Sequence, residues 1–135
     1  MNKKQFEEIK NELRMTLDIN DKNLQEKNYN LPTVYQDFLE IYIHEISILQ
    51  NLQEKYNVLK AEKHIFYKFK YEYKLSSQTE IETAIRGDKA ISSLLKDLHE
   101  QENYVKFLEN SLANIKNTNY LIKNAIDIQR LQDGY

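Results

Sequence analysis

The apolar residues of the last third of the chain recur alternately three and four positions apart, and this spacing constrains the fold most. Twelve positions follow it, and nine of them are apolar: Ile91, Leu94, Leu98, Gln101, Val105, Leu108, Leu112, Ile115, Asn119, Ile122, Ile126 and Gln129. Such a pattern places one apolar stripe along an α-helix. A helix over residues 89–132 is about 65 Å long. We predict that its stripe packs on another long helix, on another subunit, or on both.

A second heptad pattern precedes it, and nine of its twelve core positions are also apolar or aromatic: Tyr35, Phe38, Tyr42, Glu45, Leu49, Leu52, Tyr56, Leu59, Lys63, Phe66, Lys70 and Tyr73. Two of the three charged exceptions fall near its end, so the first half of this helix is predicted to be more buried than the second. Pro32 fits the first turn of the helix, because its missing N–H has no partner there.

The rest of the chain predicts short helical pieces and few turns. A short amphipathic helix is indicated by four apolar residues at the same spacing: Phe6, Ile9, Leu13 and Leu17. Residues 18–23 read as a break, in which Asn20 or Asp21 can cap the following helix. Two glycines and one proline in 135 residues favour a few long helices over many short elements.

Two further breaks come before the last helix. In the segment "SSQTE" (76–80), Ser77 is followed three residues later by Glu80, which is the pattern of a capping box. Gly87 ends the short helical piece that follows, and Asp88 can cap the last helix.

The residues of catalytic and metal-binding chemistry are absent or scattered. There is no cysteine, and the three histidines have no partners at ligand spacing. Acidic pairs such as Glu100 and Glu102 stand two apart and face different ways on a helix. No glycine-rich phosphate loop is present, and no apolar run is long enough to span a membrane. We therefore predict no enzyme activity, no cofactor, no metal and no membrane association.

The sequence "FYKFKYEYK" (66–74), here called the aromatic–basic segment, puts five rings and three lysines into nine positions. Residues 60–74 carry +3, whereas the other 120 residues carry −5. Three interpretations remain open. The rings can pack in a core with the lysines in water, they can alternate on a short extended strand near 67–73, or they can bind a nucleic-acid strand.

Nucleic-acid binding by such a segment has a clear physical basis. Lysines neutralise phosphates and give a salt-dependent affinity. Aromatic rings stack on bases, which contributes roughly 1–3 kcal/mol per base and tolerates any sequence. Lysine with little arginine favours sequence-tolerant binding of single strands over the reading of base edges, which commonly uses bidentate arginine contacts.

Three stretches carry a resemblance to a known family. "LANIKNTNYLIKNAI" (112–126) follows a Leu-x-x-Ile-Lys-x-x-x-aromatic-x-Ile-Lys pattern, "GDKAI" (87–91) has an Asp-Lys helix start, and "LKAEKHIFY" (59–67) resembles a Leu-Lys-Ala-Arg motif before an aromatic pair. Together they resemble the UvsY recombination mediators of large tailed phages. Lys60 matches the motif lysine that the family uses on single-stranded DNA. Glu62 stands where the family has arginine.

The resemblance implies a mainly α-helical protein with two long heptad helices and a short N-terminal helix, assembled as a ring-type homo-oligomer of hexamer- or heptamer-like size. Residues 1–135 are expected to form a single helical domain. Within it, residues 1–86 are the expected DNA-binding part, and 87–135 the long C-terminal helix for packing and oligomerisation. The expected DNA-binding residues are Lys60, Lys63, His64, Tyr67, Lys68, Phe69, Lys70, Tyr71 and Lys74. The expected oligomerisation residues are Leu108, Leu112, Ile115, Asn119, Ile122 and Ile126.

The implied function is that of a recombination mediator. Such a protein binds single-stranded DNA and helps a RecA-like recombinase assemble where a single-strand-binding protein covers the strand. It would work in the cytoplasm of the host cell. The alternative is a coiled-coil adaptor or scaffold without nucleic-acid binding. The solvent exposure of Tyr67, Phe69 and Tyr71 discriminates between the two, because an adaptor gives no reason for exposed rings.

Overall fold

The computed structural model of the chain describes residues 1–134 and is helical over most of them. The elements are α1 (Lys3–Leu17), α2 (Leu24–Ile65), a π-helical turn (Phe66–Lys70), α3 (Gln78–Gly87) and α4 (Lys89–Gln132). The predicted short N-terminal helix and two long helices are confirmed. The strand considered near 67–73 is wrong: the chain stays helical through Lys70, and residues 71–77 form no strand.

Helix α2 begins earlier than predicted. It starts at Leu24, so Pro32 lies inside the helix instead of in its first turn. A proline inside a helix removes one backbone hydrogen bond and crowds the preceding turn. Leu24 and Leu31, seven residues apart on one helix face, are both buried. Burying a leucine contributes about 1.5–3 kcal/mol, so packing of this first segment offsets the local penalty of the proline.

The predicted helix boundaries at residues 77 and 88 are confirmed by their caps. The Ser77 hydroxyl accepts a hydrogen bond from the Glu80 backbone N–H. One carboxylate oxygen of Asp88 accepts from the backbone N–H groups of Ala90 and Ile91 at the start of α4. At the earlier break, the Asn20 side chain closes the turn over residues 20–23.

The chain folds into two compact units. The first comprises Met1–Glu45 and the chain from Tyr104 onward. Its core joins α1, the first part of α2 and the last part of α4 through eight buried side chains: Leu13, Leu24, Leu31, Phe38, Leu108, Leu112, Ile115 and Ile122. The apolar stripe of α4 is therefore covered by helices of its own chain in this unit.

The second unit comprises Ile46–Asn103 and contains the aromatic–basic segment. Its small core is built on three buried isoleucines, Ile81, Ile85 and Ile91. Tyr56, Leu59, Tyr67 and Leu75 are half-buried against them. The second half of α2 is more exposed than the first, as the heptad pattern predicts. No helix within residues 1–134 is both long enough and apolar enough to cross a membrane.

Candidate nucleic-acid interface

The π-helical turn gathers part of the aromatic–basic segment into a ring cluster. A π-helix pairs residues five apart, and the rings of Phe66 and Tyr71 accordingly meet with centroids 6.0 Å apart. Tyr67 contacts both of them, at 5.1 Å and 5.0 Å, in edge-to-face arrangements. Tyr73 extends the cluster through Tyr71 at 5.6 Å. Tilted ring pairs of this kind contribute about 0.5–1.5 kcal/mol each beyond their burial.

Asp88 fixes this cluster to the start of α4. The Tyr67 hydroxyl donates a 2.6 Å hydrogen bond to one carboxylate oxygen of Asp88. The Lys63 ammonium lies 3.2 Å from the same oxygen, and the Asp88 side chain is only 9% exposed. The other oxygen caps α4. One carboxylate thus holds both the end of α2 and the π-helical turn.

These contacts shift the pKa of both partners. The hydrogen bond to Asp88, then burial and the negative charge of that carboxylate, raise the pKa of Tyr67 to about 12. The Tyr67 hydroxyl is also the main cause that lowers the pKa of Asp88, helped by the N–H of Ile91 and by Lys63 against the opposing effect of burial.

These pKa shifts make the stability of the fold depend on pH. The stabilisation from Asp88 is present above its unfolded pKa and is lost in acid. That from Tyr67 is present below its unfolded pKa and is lost as the pH rises towards 12. Both contributions are present between about pH 4 and about pH 10.

Removing the Tyr67 hydroxyl is expected to remove one late step from the alkaline titration of the tyrosines. In the wild-type protein, ultraviolet absorbance of phenolate should show an ionisation step near pH 12. Tyr67→Phe should lack it, because the group that the Asp88 carboxylate keeps protonated is gone. If the two titrations differ by one phenol near pH 10 instead, the hydrogen bond does not persist in solution.

The predicted DNA-binding residues fall into two groups. Lys63, His64 and Tyr67 are half-buried and engaged within the protein; His64 hydrogen-bonds to Gln78 at 3.3 Å. The others are exposed: Lys60, Lys68, Phe69, Lys70, Tyr71 and Lys74. Phe69 is 72% exposed, and the Lys68 ammonium lies 5.3 Å from its ring. Of the three rings whose exposure discriminates between binding and an adaptor, Phe69 is largely exposed, Tyr71 is 37% exposed, and Tyr67 is half-buried against the core of the second unit.

Two residues of this region were not among the predicted DNA-binding residues. Tyr73 is 65% exposed and continues the ring cluster, and its place in the alternating segment was an available signal. Arg86 on α3 lines a cleft with Lys60 and His64 of α2. No sequence pattern joins positions 60 and 86, because only the packing of α3 against α2 brings them to one cleft.

The predicted oligomerisation residues lie on α4, and most of them point into their own chain. Leu108, Leu112, Ile115 and Ile122 are buried in the core of the first unit, and Asn119 and Ile126 are half-buried. Their part in subunit contact stays a prediction. The apolar side chains that the last part of α4 exposes are different ones: Tyr120, Leu121, Ile128 and Leu131.

No group of three or more histidine, cysteine, aspartate or glutamate residues within 1–134 is arranged to hold a metal ion. The candidate interface comprises the rings and lysines of the aromatic–basic segment and the cleft that Lys60 and Arg86 line.

Comparisons with known proteins give a family match and several solved structures of similar fold. The family described as recombination, repair and ssDNA binding protein UvsY matches residues 12–135. Three crystal structures of the bacteriophage T4 recombination mediator protein UvsY have a similar fold. One, of lattice type II, has a TM-score of 0.85 at 19% identity and covers 99% of both chains. Lattice type IV has a TM-score of 0.82 at 19% identity, covering 94% of this chain and 98% of that one. Lattice type I has 0.81 at 18% identity, covering 93% and 98%.

No curated protein sequence matches the chain. The solved structures, at this identity, show the shared fold, and the family match spans nearly the whole sequence. The chain belongs to the UvsY family of recombination, repair and single-stranded-DNA-binding proteins.

Proposed function

We propose that the chain binds single-stranded DNA through the aromatic–basic segment and Lys60, and that it helps a RecA-like recombinase assemble on a strand covered by single-strand-binding protein. It acts as a mediator in the cytoplasm of the host cell and carries out no covalent step. Support comes from membership of the UvsY family and from one observation above all: Phe69 and Tyr73 are exposed in the second unit, and so are the lysines next to them in the sequence, Lys68, Lys70 and Lys74.

The two kinds of side chain have separate tasks in this proposal. Lys60, Lys68, Lys70 and Lys74 neutralise phosphates and release counterions, which gives salt-dependent affinity. Phe69 and Tyr73 offer ring faces to the bases, which gives affinity without sequence preference. Lys63 and Tyr67, held by Asp88, keep the segment in place. Tyr71 packs within the ring cluster. His64 hydrogen-bonds to Gln78 and so supports the contact between α2 and α3.

Mediation follows from how the strand is held. A protein that binds one conformation of the strand better than others raises the population of that conformation. We propose that the bound conformation is the one on which the recombinase nucleates and from which the single-strand-binding protein is released. A ring of identical chains strengthens this effect, because each further segment binds the strand at a high effective concentration.

The ring itself is part of the proposal. The exposed apolar residues near the end of α4, among them Leu121 and Leu131, provide surface for a neighbouring chain. Leu108, Leu112, Ile115 and Ile122 would act on assembly by keeping α4 packed on its own unit.

Replacing Lys60 and Lys68 together with alanine is expected to weaken binding of single-stranded DNA in a salt-dependent manner. Each phosphate contact to a single strand contributes about 0.7 to the slope of log affinity against log salt. Two lost contacts lower the slope by about 1.4, which corresponds to about 25-fold weaker binding at roughly 0.1 M salt. Fluorescence anisotropy of a labelled oligonucleotide at several salt concentrations measures both quantities.

The matched control is Lys3→Ala with Lys4→Ala, which removes the same charge from exposed positions on α1. It should change affinity much less. A recombinase ATPase assay on DNA covered by single-strand-binding protein then links binding to mediation: the wild-type protein and the control should shorten the lag, and the Lys60/Lys68 variant should not. Equal affinity of the two double variants would remove this site from the proposal.

A further inference from the structure

A cleft of about 760 Å³ lies within the second unit, between α2 and the helices that follow it. Lys60 and His64 line it from α2, and Arg86 lines it from α3. Its apolar lining includes Tyr56, Ile91 and Leu95. The volume lies within the range of about 300–1,000 Å³ that holds a small-molecule ligand. One nucleotide is small enough to fit in it.

The guanidinium that lines the cleft with Lys60 comes from another helix. Glu62, two residues after Lys60, faces a different way on α2 and lines a separate groove with Lys55 and Val58. Arg86 on α3 lines the cleft instead. The cleft therefore carries one ammonium from α2 and one guanidinium from α3.

The charges available around the cleft favour Arg86 over the neighbouring lysine. Lys63 forms an ion pair with Asp88 at 3.2 Å, so part of its charge is already neutralised. Within residues 1–134, Arg86 and Lys60 form no ion pair, and Lys60 lies 6.0 Å from the ring of Tyr56. Glu82 is the one acidic lining residue. Two cationic side chains against one carboxylate leave the cleft with a net positive charge.

We infer that the cleft is a nucleotide site for the bound single strand, in which Arg86 and Lys60 contact a phosphate together. Arg86 on α3 and Lys60 on α2 hold one phosphate, and the base of that nucleotide lies against Tyr56 and the other apolar lining residues. This inference rests on the proposed function and adds to it a second contact, separate from the exposed rings at Phe69 and Tyr73. A guanidinium suits the task because its planar donors match phosphate oxygens.

The test measures binding of a labelled oligothymidylate, which forms no internal pairs, over a series of salt concentrations. Arg86→Ala should lower the salt slope by about 0.7 and weaken binding about fivefold at roughly 0.1 M salt. Arg86→Lys keeps the charge and should retain most of the slope. Glu82→Gln removes the opposing charge and should strengthen binding. The matched control is Arg14→Ala, an exposed arginine on α1.

The outcomes separate this inference from the function on which it rests. If the wild-type protein does not bind the oligonucleotide, both are wrong. If the wild-type protein binds and Arg86→Ala behaves like Arg14→Ala, the cleft is not part of the interface while the proposed function stands. If Arg86→Ala and Arg86→Lys weaken binding equally, and neither changes the slope of log affinity against log salt, Arg86 does not contact a phosphate. Circular dichroism of each variant checks that the helices remain formed.

Discussion

Replacing Phe69 and Tyr73 together with alanine is expected to lower the affinity for single-stranded DNA by at least about 30-fold. Each stacked base contributes about 1–3 kcal/mol, so two lost stacking partners remove at least about 2 kcal/mol, or nearly one and a half powers of ten. The slope of affinity against salt should stay the same, because no charge is removed. Both side chains are mostly exposed, so the melting temperature should change little.

The control for this variant is Tyr29→Ala. Tyr29 is an exposed tyrosine on the first part of α2, in the other unit, and its loss should leave affinity unchanged. Anisotropy titrations of the two variants with the same oligonucleotide give the comparison. An affinity of the Phe69/Tyr73 variant equal to that of Tyr29→Ala would mean that the exposed rings do not stack on bases, and the adaptor alternative would then gain.

Replacing Phe38 with alanine is expected to destabilise the protein by about 3–5 kcal/mol. The Phe38 side chain is fully buried among the residues that join α2 to α4 in the first unit. Its truncation leaves a cavity that the surrounding leucines and isoleucines fill only in part. Denaturation by urea, followed by circular dichroism, should show a lower midpoint.

Ile43→Ala is the matched control, since Ile43 lies on the same helix and in the same unit but is 59% exposed. Its effect should stay within about 0.5 kcal/mol. Equal shifts for the two variants would contradict the packing of α2 on α4 within one chain. Leu108 and Ile115 belong to the same core. Truncating either side chain should therefore unfold the protomer, and such a variant does not measure subunit contacts.

The helical periodicity of α4 could be predicted from the sequence because one physical requirement governs it. All twelve positions of its 3-4 pattern, from Ile91 to Gln129, are buried or half-buried. The caps at Ser77 and Asp88 are equally local, since each depends on a side chain that reaches a backbone N–H two or three residues away. Local spacing determines both kinds of feature.

The start of α2 could not be predicted, because local and tertiary effects oppose each other there. Pro32 by itself favours a first turn. The burial of Leu24 and Leu31 depends on packing against α1 and against distant residues of α4, and a pattern within α2 does not contain that information.

In the aromatic–basic segment, too, some features depend on the local sequence and others on the tertiary fold. Its rings and lysines indicated nucleic-acid binding, but the alternation of the rings also fitted a β-strand. The structure continues the helix as a π-turn, in which Phe66 and Tyr71 pair at a spacing of five. The anchoring of Tyr67 and Lys63 on Asp88, more than twenty residues away, depends on the tertiary fold, as does the arrival of Arg86 at the cleft.

This arrangement fits the proposed mediator, which would bind strands without reading their sequence. Asp88 holds one end of the segment rigid, so Phe69 and Tyr73 are presented with little loss of conformational freedom on binding. The lysines around them add an attraction that weakens with salt. In the proposed function, such a surface binds a strand firmly at low salt and releases it as salt rises or as a recombinase competes for it.

The most direct measurement is a titration of the wild-type protein into labelled single-stranded and double-stranded oligonucleotides of the same sequence, at low and at high salt. The account predicts tight binding of the single strand at low salt, a steep loss of affinity at high salt, and weaker binding of the duplex, whose bases are not open to stacking on Phe69 and Tyr73. No binding of the single strand at either salt, or equal affinity at both, would contradict it.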